Sequence, residues 1–88
     1  MELRHLQTLK EVVERGGFSK AARALGSTQS TVSKAVAQLE HDCAAPLLDR
    51  TGASPRLTPA GEAVYARALV LLREQEALRA DLDALRGL

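Results

Sequence analysis

Apolar residues recur at intervals of three and four along most of the chain, the spacing that gathers side chains on one face of an α-helix. Leu3, Leu6, Leu9, Val12 and Val13 trace a first helix from Met1 to Arg15, with Glu2, Arg4, Lys10, Glu11 and Glu14 on its other side. Gly16-Gly17 ends it, because Gly enters the left-handed conformation of a helix C-cap without Cβ strain. Ser19 reads as the N-cap of a short second helix that reaches Leu25, with Ala21, Ala22 and Leu25 turned inward. Gly26-Ser27 then makes a tight turn into a third helix, capped by Thr28, which runs out between His41 and Ala45 ahead of Pro46. Val32, Val36 and Leu39 form its buried face. Two short helices about a Gly-containing turn constitute a helix-turn-helix.

Beyond Pro46 the pattern changes. Leu47-Leu48-Asp49-Arg50 and Arg56-Leu57-Thr58 flank Thr51-Gly52-Ala53-Ser54-Pro55, whose Gly and Pro mark a turn, so the segment is expected to form a small hairpin or wing. Thr58 followed by Pro59 is a helix start, a hydroxyl cap and then Pro at the first helical position. After Gly61 neither Gly nor Pro interrupts the chain until Gly87, which leaves room for roughly seven helical turns. Val64, Ala68, Leu71, Gln75, Leu78, Leu82 and Leu85 recur there at alternating steps of four and three, a heptad seam that Tyr65, Leu69 and Leu72 widen near its start. So small a domain offers too little surface to cover the whole seam. Those seven residues are therefore the expected interface with a second copy. The expected fold is mostly α: a winged helix-turn-helix of three helices and a small β-hairpin at residues 1–58, then a long dimerising linker helix at 59–88.

Composition adds bounds. Eighty-eight residues make one domain, and a chain of this size buries only about 60% of the surface its unfolded form exposes, so association would assist its stability. One Phe, one Tyr and no Trp, among many Ala and Leu, favour helices packed closely through small side chains. A single Cys excludes an internal disulfide, and no stretch reads as a signal peptide or membrane span, which points to the reducing cytoplasm. The net charge of +1 says little, but its distribution is informative: no acid lies between Glu14 and Glu40, whereas Arg15, Lys20, Arg23 and Lys34 all do. Cations clustered around an exposed helix are the footprint of a polyanion partner. That helix presents Gln29, Ser30, Ser33, Lys34 and Ala37, small hydrogen-bonding groups and one cation, at an N-terminal end whose dipole favours phosphate; the combination suits a DNA major groove. His5, His41, Asp42 and Cys43 are the only candidates for catalysis or metal binding, and His41-Asp42-Cys43 lacks the repeated spacing of a zinc site, so neither enzyme activity nor a metal or cofactor is expected.

The run Leu3-Arg4-His5-Leu6, Gly17-Phe18-Ser19-Lys20-Ala21-Ala22, Leu25, Thr28-Gln29-Ser30-Thr31-Val32-Ser33-Lys34, Gln38-Leu39-Glu40, Pro46-Leu47-Leu48-Asp49-Arg50 and Leu57-Thr58-Pro59-Ala60-Gly61 resembles the N-terminal DNA-binding region of LysR-type transcriptional regulators over nearly the whole chain. The resemblance implies a winged helix-turn-helix with a dimerising linker helix, and it matches Gln29, Ser33 and Lys34 to positions that meet DNA, with Thr28 and Ser30 beside them. Departures from the family pattern are Ser27 for an aliphatic residue, Ser30 for Pro, Cys43-Ala44 for Leu-Gly, Leu48 for Phe, and a wing tip without a basic residue. The changes under the wing imply looser or rearranged packing there.

The expected function is sequence-specific binding of double-stranded DNA by a dimeric transcription regulator, bacterial and associated with the nucleoid, its recognition helix spanning about residues 28–41. Base contacts are expected from Gln29, Ser30, Ser33 and Lys34. Phosphate contacts are expected from Ser19, Arg23, Thr28, Thr31, Arg50 and Arg56. Family members usually continue into an effector-binding domain, so the chain is expected to be an excised DNA-binding fragment with no small-molecule site of its own. The competing reading is a helical interaction module that no longer touches nucleic acid; the acid-free basic window argues against it and the bare wing tip argues for it.

Overall fold

The computed structural model describes residues 1–87 in the order α1 (Leu3–Arg15), α2 (Phe18–Leu25), α3 (Gln29–Cys43), β1 (Leu48–Asp49), β2 (Arg56–Leu57) and α4 (Pro59–Arg86). The last position of the expected 59–88 helix, Leu88, lies outside the described residues. β1 and β2 pair antiparallel, with Leu48 opposite Leu57 and Asp49 opposite Arg56. The winged helix-turn-helix with its long helix is as expected.

Local chemistry sets most of the boundaries. Thr28 caps α3, its Oγ1 accepting from the Thr31 N–H at 3.1 Å, and Thr58 caps α4, accepting from the Gly61 N–H at 3.0 Å. Thr58 also donates to the Pro46 carbonyl at 2.7 Å, so one hydroxyl starts α4 and ties it to the segment leading into β1. Gly16 and Gly26 end α1 and α2 in the left-handed region. Two starts differ from expectation. α1 begins at Leu3, and α2 begins at Phe18 with Gly17 in the cap position, which leaves Ser19 an exposed first-turn residue with no capping bond.

The core joins Leu6, Leu9 and Val12 of α1, Ala21 and Ala22 of α2, and Val32, Val36 and Leu39 of α3 to Leu47, Leu48 and Ala68. Leu48 is buried despite being smaller than the family's usual residue, so the strand under the wing keeps its seat. Leu25 is turned outward rather than inward, and Leu3 is likewise exposed, while His5 and Thr8 are buried; Thr8 satisfies its hydroxyl on the Arg4 carbonyl at 2.9 Å.

α4 divides by surroundings rather than by sequence. Its first half is part of the core through Gly61, Ala68 and Leu72, and the Tyr65 hydroxyl donates to the Glu14 carboxylate at 2.8 Å, which fastens α4 to α1. Ala68, expected at a dimer seam, is fully buried against its own chain, and Val64 packs against the same core. The start of α4 after Thr58 thus packs with the three-helix unit before it. The seam left open starts at Leu71 and continues through Leu78, Leu82 and Leu85, all exposed, along a molecule 51 Å in its longest dimension.

One cap carries strain. Ala44 ends α3 at φ 54° and ψ 34°, the only non-glycine residue with positive φ among those described. Its Cβ disfavours that conformation by roughly 1–2 kcal/mol, partly offset by the greater backbone freedom Gly would lose on folding. Ala44→Gly is expected to raise stability by about 0.5–1 kcal/mol and Ala44→Val to lower it; urea denaturation followed by circular dichroism measures both.

Candidate nucleic-acid interface

With Val32, Val36 and Leu39 holding α3 against the core, the rest of that helix is turned outward. Gln29, Ser30, Thr31, Lys34, Ala37 and Gln38 are exposed and Ser33 is half-buried on the flank. The helical repeat puts Ser30, Lys34 and Ala37 outermost, Gln29 and Ser33 toward one flank, and Thr31 and Gln38 toward the other. The expected base-reading residues thus share the N-terminal half of one exposed surface. Thr28 and Thr31 are partly occupied: besides capping, the Thr28 hydroxyl donates to Thr31 Oγ1 at 2.9 Å.

On the Thr31 flank an open groove separates α3 from α1. Arg4, His5 and Thr8 face Thr31, Lys34 and Gln38 across it. Gln38 donates to Asp42 at 3.0 Å, a bond that holds the Asp42 carboxyl below its ordinary range. Arg4 and Gln38 were not among the residues expected from sequence to line this surface. The signal was present, since Gln38 follows Lys34 by one helical turn and Arg4 is on the polar side of the first helix.

The wing is small. Asp49 closes its first turn by accepting from both the hydroxyl and the N–H of Thr51, at 2.7 and 3.0 Å, and these bonds hold its pKa below the usual carboxylate value. Arg56 stands opposite Asp49 in the ladder and is exposed. Arg50 lies with its guanidinium carbon 4.6 Å from the centre of the Phe18 ring and its Nη2 3.6 Å from Glu40.

Charge pairing sorts the cations of residues 1–58 into two groups. Arg4, Lys10, Arg15 and Arg50 pair with Glu2, Glu14, Glu11 and Glu40. Lys20, Arg23, Lys34 and Arg56 pair with no acid within 4.0 Å among the described residues. The unpaired group belongs to α2, α3 and the wing.

Comparison with known proteins accounts for the arrangement. The model of the bacterial regulatory helix-turn-helix proteins, lysR family, matches residues 3–62. The chain belongs to the LysR family. It is 42% identical over 86 residues to the HTH-type transcriptional regulator YtlI of Bacillus subtilis (strain 168), covering 98% of this chain and 28% of YtlI. An uncharacterised HTH-type transcriptional regulator of Azotobacter vinelandii is 41% identical over 87 residues, 99% of this chain and 60% of that protein. The chain thus spans less than two thirds of either LysR-type relative. Among solved structures, the DNA-binding domain of BenM in complex with catB site 1 DNA superposes with a TM-score of 0.92 at 32% identity, covering 98% of this chain and 97% of that one. Vibrio fischeri DarR in complex with DNA also gives 0.92, at 28% identity, covering all of this chain and 30% of that one. The fold is the winged helix-turn-helix of LysR-type DNA-binding domains. No helix among the described residues is long and apolar enough to cross a membrane.

Proposed function

We propose that this chain is the sequence-specific, double-stranded-DNA-binding module of a dimeric LysR-type transcription regulator, with the N-terminal half of α3 in the major groove. The observation that carries the reading is the division of cations: Arg4, Lys10 and Arg15 of α1 are paired with nearby acids, while Lys20 and Arg23 of α2, Lys34 of α3 and Arg56 of the wing are left for a polyanion. The helix dipole and the amides of the first turn add to the attraction at the same end of α3.

Gln29, Ser30 and Ser33 are assigned to base edges, with Lys34 between base and phosphate. Arg23, Arg56, Ser19, Thr28 and Thr31 are assigned to phosphates and sugars, which fix register without reading sequence. A second α4 along Leu71, Leu78, Leu82 and Leu85 would give two recognition helices for a two-part site. The titration that tests these roles compares Gln29→Ala with Lys34→Ala at one salt concentration, on a duplex selected from a random pool and on a scrambled one. Gln29→Ala is expected to cost about 1–3 kcal/mol on the selected site and far less on the scrambled one, since Gln both donates to and accepts from the N6 and N7 groups of adenine. Lys34→Ala is expected to weaken both, more evenly. Equal losses on both duplexes from Gln29→Ala would make it a positioning residue and move base reading to Ser30 and Ser33.

A further inference from the structure

Glu40 is the first acid after Glu14 and lies on the flank of α3, where a carboxylate would repel a nearby phosphate. Its surroundings show what occupies it. One carboxylate oxygen accepts from the N–H groups of Leu47 and Leu48, at 2.7 and 3.3 Å, and the other faces Arg50 at 3.6 Å. Arg50 in turn stacks on Phe18, the first residue of α2. One side chain of the recognition helix thereby grips the segment leading into β1, and one wing cation closes the grip against the start of α2. Leu47 is fully buried and its carbonyl accepts from the Thr58 N–H at 3.0 Å, so the grip extends to both ends of the hairpin.

We infer that Glu40 is a positioning residue for DNA binding, clasped by Arg50 and Phe18, and that it fixes the wing, and with it Arg56, at a set distance from α3. Arg50 acts as the clasp rather than as a phosphate ligand. The physical reason is register: phosphate contacts from the wing and from α3 reinforce one another only while their separation is fixed, and a two-residue ladder cannot fix it alone. The inference rests on the DNA-binding reading above.

The experiment uses the whole chain and four variants, Glu40→Ala, Glu40→Gln, Arg50→Ala and Arg56→Ala. Affinity for the selected duplex is measured across a salt series, and amide hydrogen exchange is followed at Leu47 and Leu48. Glu40→Ala removes a negative charge, which by charge alone would strengthen DNA binding; the clasp predicts instead a loss of about tenfold, with faster exchange at both amides. Glu40→Gln keeps an acceptor for those amides, and is expected to keep most of their protection and most of the affinity. Arg50→Ala is expected to lower affinity and speed the same exchange while leaving the slope of log affinity against log salt unchanged, whereas Arg56→Ala flattens that slope by about one unit for the phosphate contact it loses. Affinity that rises or stays constant in Glu40→Ala overturns the inference, as does a slope reduced in Arg50→Ala with wild-type exchange at Leu47 and Leu48. A wild-type chain that binds no duplex overturns the DNA-binding reading and the positioning role with it, even where exchange shows the clasp itself to be formed.

Discussion

Gly61→Ala is expected to lower the unfolding free energy by about 3 kcal/mol, toward the upper end of what overpacking costs. Gly61 lies in the first turn of α4, its N–H given to Thr58, with the Leu47 backbone closest against it. A Cβ added there would fall far inside contact distance of the Leu47 carbonyl oxygen, 2.9 Å from the Leu47 carbonyl carbon and 3.0 Å from a Leu57 methyl. Leu47 cannot move aside, because the same peptide segment is held by Glu40 and by Thr58. A chain of this size has on the order of 5–10 kcal/mol of stability in all, so the loss would populate the unfolded state visibly near body temperature. Thermal denaturation by circular dichroism is expected to show a midpoint about 10–20 °C lower. A midpoint within about 2 °C of wild type would show that α4 does not approach Leu47 so closely.

The second large effect is expected at the open seam. Leu78, Leu82 and Leu85 are 58%, 45% and 73% exposed, too much apolar surface on one helix face for all of it to be left in water. Fully burying a leucine contributes roughly 1.5–3 kcal/mol, so two in each copy supply several kcal/mol to a dimer, and carboxylates in their place remove that and add repulsion. The double variant Leu78→Asp, Leu82→Asp is expected to sediment as a monomer at concentrations where wild type is a dimer, with the winged helix-turn-helix still folded, since neither residue is part of its core. Wild type sedimenting as a monomer at high micromolar concentration would remove the basis for pairing through α4.

What sequence could reveal divides along physical lines. Caps are local, so Thr28, Thr58-Pro59 and the glycines after α1 and α2 were legible from a few neighbouring residues. Ser19 misled because a hydroxyl suits either a cap or the first turn of a helix, and here the helix starts one residue earlier, at Phe18. Periodicity showed that α4 has an apolar seam but not what covers it. Ala68 and Val64 fit the heptad as well as Leu78 does, yet face α1 because close approach there needs small side chains. Leu25 was expected inward for its hydrophobicity, but α2 buries Ala21 and Ala22 and leaves Leu25 exposed. That Gln29, Ser30, Ser33 and Lys34 are turned away from the core was legible in outline, because it follows from the buried triad of α3 alone. The clasp of Glu40 and Arg50 was not, since it joins residues ten apart through a carboxylate whose partners are backbone amides.

The central claim is that the chain reads sequence in duplex DNA, and one titration addresses it directly. Wild-type chain is titrated against a duplex selected from a random pool and against its scrambled counterpart, each from about 50 to 200 mM salt. The account predicts that affinity for both falls steeply as salt rises, by about a factor of ten or more over that range, because phosphate contacts from Arg23, Lys34 and Arg56 release counterions. It also predicts that the selected duplex binds about a thousandfold more tightly at every salt concentration, through groups on α3 that meet bases. Equal affinity for the two duplexes, or binding indifferent to salt, would contradict it.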